Sequence, residues 1–192
     1  MLSGNRLIGR LLLLSTLAFG GTACAGVTEY VITPSTPTPS TTFVSGTTGR
    51  IKVPVSALTD TKIASADGLV FRFADGANFS LQTETDTGVG HPGVDMRTWP
   101  EYVLGLKSSG PEPQTYIDDL KKSYQQIIQS SIQPSEIRRF NTSKGTGYWA
   151  VGDQKSVIVL TQKAIKDQIS VIYTDGLSET RIVNIILNGV SQ

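Results

Sequence analysis

The most regular hydrophobic pattern in the chain is "LVFRFADGANFSLQTE", residues 69–84. Leu69, Phe71 and Phe73 recur every second residue, Phe79 and Leu81 do so again, and Asp75-Gly76 lies between them. Successive side chains of a strand point to opposite faces, and glycine accepts the positive φ of a tight turn, so this pattern predicts a β-hairpin. Ile51, Val53 and Val55 predict an earlier strand, placed at a sheet edge because Pro54 has no N–H to give a ladder. The apolar run "YVLGL", residues 102–106, reads as a short buried strand.

The period then changes. In "PEPQTYIDDLKKSYQQIIQ", Ile117, Leu120, Tyr124, Ile127 and Ile128 fall on one helical stripe. Thr115 is the expected N-cap, with Asp118 three residues on, and Pro134 bars continuation. Strand-like segments resume at residues 137–142, 148–151, 156–161 and 168–174, the last two joined by "QKAIKDQ". Of the adjacent Tyr148 and Trp149, alternation sends one inward and one outward. Ile182, Ile185 and Ile186 predict a closing helix over 181–187, with Ser178 as N-cap and Asn188-Gly189 as left-handed C-terminal residues. Strands and amphipathic helices in this order predict an α+β domain: an antiparallel sheet with two main helices.

The N-terminus carries a different pattern. Arg6 and Arg10 precede a short, mainly apolar stretch from Leu11 to Phe19, and small residues follow. This is the plan of a secretory signal, expected over residues 1–23. The run is about half of the roughly 20 residues that a spanning helix needs. Thr22-Ala23-Cys24 resembles the end of a bacterial lipobox, in which cleavage falls before the cysteine and its sulfur takes a diacylglyceryl group; Gly21 departs from the aliphatic residue usual there. Ala23-Cys24-Ala25 is also a small-x-small site for ordinary signal peptidase, which would remove the cysteine. The position of Cys24, directly behind the apolar run, favours lipid attachment. It is the only cysteine, so a disulfide within one molecule is impossible. Acyl chains hold a protein to a bilayer at about 0.8 kcal/mol per buried CH₂. Residues 24–49 include the Pro/Ser/Thr-rich "TPSTPTPSTTFVSGTTG" and are expected to form a disordered tether. Residues 50–192 are then a single α+β domain.

Composition narrows the partners. The 192 residues hold 17 Lys+Arg and 16 Asp+Glu, and cleavage before Cys24 would leave 15 against 16. A near-neutral chain without a basic patch in its sequence gives no electrostatic case for nucleic acid.

Candidate chemistry concentrates in "VGHPGVDMRTWPEY", residues 89–102. It holds His91, the single histidine, with Asp95, Arg97 and Trp99, the four candidate binding residues. Long loops without regular structure are often functional, and Trp and Arg are enriched at interface hot spots. Trp99 packing down as core is the plainer alternative. His91 steered by Asp95 as a general base would make an exported hydrolase, but no serine lies in a Gly-x-Ser-x-Gly elbow. One histidine and scattered acids lack the clustered ligands zinc needs, and "GVGHPG" is not followed by a helix. No cofactor and no metal are expected.

The lipobox-like Cys24, the hairpin at residues 69–84, the helix from Thr115, the late hairpin and the closing "IVNIILNGV" together resemble the PsbP-like fold, which includes small bacterial periplasmic lipoproteins of the DcrB type. The resemblance implies a PsbP-like sandwich and a non-enzymatic envelope role, and it transfers no catalytic residue. The expectation is a lipid-anchored bacterial envelope lipoprotein, on the outer membrane or the periplasmic face. It would act as a non-catalytic binding module for an envelope protein, with toxin neutralisation or phage exclusion as specific forms. The alternative is the hydrolase using His91 and Asp95.

Overall fold

The computed structural model describes residues 26–33, 38–46, 48–65 and 67–190. The expected signal segment and Cys24 lie outside the described residues.

The strands are β1 (Val27–Glu29), β2 (Ser40–Ser45), β3 (Gly49–Pro54), β4 (Lys62–Ser65), β5 (Leu69–Arg72), β6 (Asn78–Thr85), β7 (Glu136–Asn141), β8 (Gly145–Val151), β9 (Lys155–Gln162) and β10 (Ile165–Asp175). Eight of them form one sheet in the order β1-β7-β8-β9-β10-β6-β5-β4. Its ladders are antiparallel except that β1 runs parallel to β7. β2 and β3 make a separate hairpin. The helical segments are α1 (Trp99–Val103), α2 (Gln114–Leu120), α3 (Gln126–Ser131), α4 (Glu179–Arg181) and α5 (Asn188–Val190), with π-type turns at Lys121–Gln125 and Ile182–Leu187. The fold is α+β. No helix among the described residues is long and apolar enough to cross a membrane.

Both faces of the large sheet are covered. Tyr148, Ala150, Val157, Val159, Ile169 and Val171 pack under α1, α2 and α3, against Trp99, Tyr102, Ile117, Leu120 and Ile128. Trp149, Ile158 and Ile172 point the other way, into Ile51 and Val53 of β3 and Ile182, Ile185 and Ile186 of the C-terminal helix. Tyr148 and Trp149 are therefore both buried, at 6% and 0% exposure, where alternation alone placed one of them outward. The alternation is real, but neither face meets water.

The hairpin at Asp75-Gly76 forms as expected. Leu69 pairs with Leu81 and Phe71 with Phe79, and Gly76 takes a φ of 89°. Residues 102–106 do not form a strand. Trp99, Tyr102 and Val103 are spaced i, i+3, i+4 and all face the core, and Pro100 suits a first helical turn, so the segment winds into α1. A short apolar run carries too little periodicity to separate the two states. The long helix starts after Pro113, not Thr115, and Ile127 leaves the buried stripe with 58% exposure. The π-type turn just before it advances less per residue about the axis, which rotates Ile127 to solvent and leaves Ile128 inward.

At the C-terminus Ser178 caps as expected, its Oγ accepting from the Arg181 N–H at 3.4 Å. Asn188 and Gly189 remain helical rather than left-handed. Gly189 is required for another reason: a Cβ there would lie 2.1 Å from the Lys52 carbonyl oxygen of β3. The loop expected over "QKAIKDQ" shrinks to Lys163 and Ala164, with β9 and β10 running up to them.

The stretch expected as a disordered tether contains β1 and β2. Thr41 and Phe43 face Val53 and Ile51 of β3, and the Phe43 ring stands edge-on to Phe71 at 4.9 Å. β3 thus has a partner on one side and stays an edge, as Pro54 requires, while Val55 falls outside it and is half exposed. Threonine is a strand former as well as a linker residue, and composition alone does not distinguish the two roles.

Candidate functional site

The segment joining β6 to α1 is a loop closed by its own side chains. The Asp86 carboxylate accepts from the Thr87 and Gly93 N–H groups, both at 2.6 Å, and the Asp86 carbonyl accepts from His91 N–H at 2.9 Å. Gly90 and Gly93 supply the positive φ values, 81° and 87°, that let so short a chain turn back on Asp86. His91 then reaches the helix layer. Its Nε2 lies 2.9 Å from Asp119 Oδ2 on α2, and its ring stands edge-on to Tyr116 at 5.2 Å. The imidazole keeps 18% exposure.

Four residues on, Asp95 opens a single 3₁₀ turn at Met96–Thr98 and accepts from the Arg97 N–H at 3.1 Å. The Arg97 guanidinium folds back onto the same carboxylate, with Nε 2.8 Å from Oδ1 and Nη2 2.5 Å from Oδ2. Its Nη1 donates to the Lys163 carbonyl at 2.9 Å, tying the loop to the β9–β10 turn. The bond from Arg97 holds the Asp95 carboxyl below the usual carboxylate range, and Asp95 in turn raises the guanidinium. The two side chains stay about one-third exposed, at 31% and 34%. Trp99 is fully buried and edge-on to Tyr124 at 5.3 Å. It anchors the loop as core and offers no surface to a partner.

The four predicted site residues therefore separate. Asp95 and Arg97 form one unit, Trp99 supports it from below, and His91 pairs with Asp119 rather than with Asp95. Nothing in the sequence around Asp119 marks it as a partner for His91. Only the docking of the loop on α2 brings it to His91.

Sequence reasoning also missed a second polar group beneath α1. Tyr102 Oη donates to Glu112, Tyr148 Oη donates to Glu101 at 3.4 Å, and Lys107 pairs with Glu101. Burial, and then the Glu112 carboxylate, push the Tyr102 phenol up to about 12. Gly110 is bare because the Tyr102 hydroxyl passes through the place a Cβ would take. No local motif foreshadows this group, since strand β8 supplies Tyr148, α1 supplies Glu101 and Tyr102, and the loop after α1 supplies Lys107 and Glu112.

Among the described residues no cluster of three or more His, Cys, Asp or Glu side chains could hold a metal ion. Comparison with protein-family models, curated proteins and solved structures found no match to this chain.

Proposed function

We propose that this protein is a bacterial envelope lipoprotein, held on a bilayer through Cys24, whose folded part binds an envelope protein through the loop from Asp86 to Thr98. One observation carries the binding surface: the loop is fixed at three places while its ion pair stays accessible. Asp86 closes it on Gly93, His91 ties it to α2, and Arg97 ties it to the β9–β10 turn, yet Asp95 and Arg97 remain one-third exposed. A surface ordered in advance loses little conformational freedom on binding, which favours affinity. The membrane anchor rests on the sequence of the first 24 residues. The PsbP-like assignment belongs to the same reading and is supported by the order of strands and helices. Toxin neutralisation or phage exclusion would be specific forms of such binding.

A photo-crosslinker at position 97, compared with one at the exposed helix position 127, tests the surface in intact envelopes. A single stoichiometric adduct at 97 and none at 127 is expected; equal or absent adducts reject the loop as the contact. The intact mass of the membrane-purified protein tests the anchor separately. A chain starting at Cys24 with a diacylglyceryl group and an acyl chain is expected, whereas a chain starting at Gly26 rejects it.

The 2.9 Å contact between His91 and a carboxylate favours one other reading, a hydrolase in which Asp119 replaces Asp95 as the orienting group. Loss of the biological phenotype in His91→Ala at unchanged melting temperature would select that reading.

A further inference from the structure

Away from the loop just described, β3, the β7–β8 turn and the end of the C-terminal helix enclose a cleft lined by three cationic residues. Arg50 and Lys52 are two apart on β3, alternating with the buried Ile51 and Val53, so the strand sets both on the side away from the core. Lys144 enters from the turn between β7 and β8. Thr48, Thr142 and Gln162 add hydroxyl and amide groups, and among the described residues no Asp or Glu lines the cleft.

The arrangement is held by backbone. Thr142 Oγ1 accepts from the N–H groups of Lys144 at 3.3 Å and Gly145 at 2.9 Å, which fixes the turn that carries Lys144. Gln162 Nε2 donates to the Thr48 carbonyl at 3.0 Å and ties β9 to the start of β3. Gly189, with no Cβ to collide with the Lys52 carbonyl, lets the helix end close against β3. The Lys163 N–H donates to the Lys144 carbonyl at 2.9 Å, so the β9–β10 turn with Lys163, and Lys166 at the start of β10, lie at the same end of the sheet.

Among the described residues neither Arg50 nor Lys144 forms an ion pair with a carboxylate. Arg50 and Lys144 bring like charges together in a concave site, which raises the local potential and favours the entry of an anion. Lysine ammonium and arginine guanidinium groups beside hydroxyls are the donors that phosphate oxygens take. The cleft volume is about 60 Å³. Sites for whole small molecules run to roughly 300–1,000 Å³, so this one suits a single charged group.

We propose that this cleft binds a phosphate group, carried either by free phosphate or by the headgroup of an anionic phospholipid. The test is amide NMR on the ¹⁵N-labelled full chain, with chloride at matched ionic strength as the reference. It is titrated first with inorganic phosphate and then with monomeric dihexanoyl-phosphatidylglycerol. Saturable shifts are expected at the amides of Thr48, Gly145 and Gly189. They should weaken at least tenfold in Arg50→Gln/Lys144→Gln, and measurably in Lys144→Gln alone. Both positions are exposed, so the remaining spectrum should be unchanged. Shifts with both ligands support the site and assign it to a lipid headgroup; shifts with inorganic phosphate alone support it and assign it to free phosphate. No saturable shift with either ligand, or equal shifts in the double variant, overturns the proposal.

Discussion

Arg138 is the side chain on which three separate segments meet. Its guanidinium carbon lies 4.8 Å from the Trp149 ring and 5.2 Å from the Tyr30 ring, while Nε contacts Glu136 and Nη1 contacts Glu179. It joins the stretch after β1, the sheet and α4. Lysine keeps the charge but has neither the flat face nor the fork of donors. Arg138→Lys should therefore cost about 1–2 kcal/mol in urea unfolding, from the lost stacking and the unpaired acids. Glu84 behaves in the opposite sense. It is half-buried, and burial raises its carboxyl above the ordinary 4.5. The folded state thus holds that proton more tightly than the unfolded chain, so stability from this group falls as pH rises through the window above 4.5. Glu84→Gln should raise the melting temperature at pH 7, and the gain should disappear below the ordinary carboxyl value. A gain that is the same at both pH values would reject burial as the cause. Tyr102 gives a spectroscopic check. Its phenol, pushed up to about 12, should ionise after an exposed tyrosine in an ultraviolet titration, and Glu112→Gln should bring it down.

At the scale of elements, close approach matters more than propensity. The C-terminal helix runs past β3 only because position 189 has no side chain. Gly189→Ala has normal helical geometry available, yet its methyl would meet backbone rather than a movable side chain. The expected loss is about 1–3 kcal/mol in thermal unfolding, in place of the gain that alanine normally brings to a helix. Most elements were legible from period alone: the Asp75-Gly76 hairpin, the stripe of Ile117, Leu120 and Ile128, and the four strands after Pro134. What failed were places where period is short or interrupted. The five residues of α1 give barely one turn of signal, and the π-type turn changes the phase at Ile127. In the candidate site, Asp95 and Arg97 sit two apart and could be linked by eye. Asp119 lies 28 residues from His91, and nothing local marks the pair.

For the whole molecule, the decisive feature is that the large sheet is covered on both sides. β1 extends the sheet beside β7 and β2 belongs to the hairpin that covers one face, although their threonines and serines read as linker. Removing residues up to 45 would strip Phe43 from Phe71 and Tyr30 from Trp149. Losing two partly buried aromatics should cost on the order of 3 kcal/mol, lowering the melting temperature by about 10 °C in a chain of this size. A truncated chain that melts with the full one would restore the tether reading for these residues.

The sequence by itself determined the class of fold and the faces that strands and helices bury. Those properties follow from spacing along one segment, which period and composition report directly. Only the tertiary structure decided that Tyr148 and Trp149 are both buried, that Asp119 and not Asp95 meets His91, and that Arg50, Lys52 and Lys144 share one cleft. Each of these depends on which segments pack against each other. Burial and charge are properties of such neighbourhoods, set by layers and crossings between residues far apart in the chain.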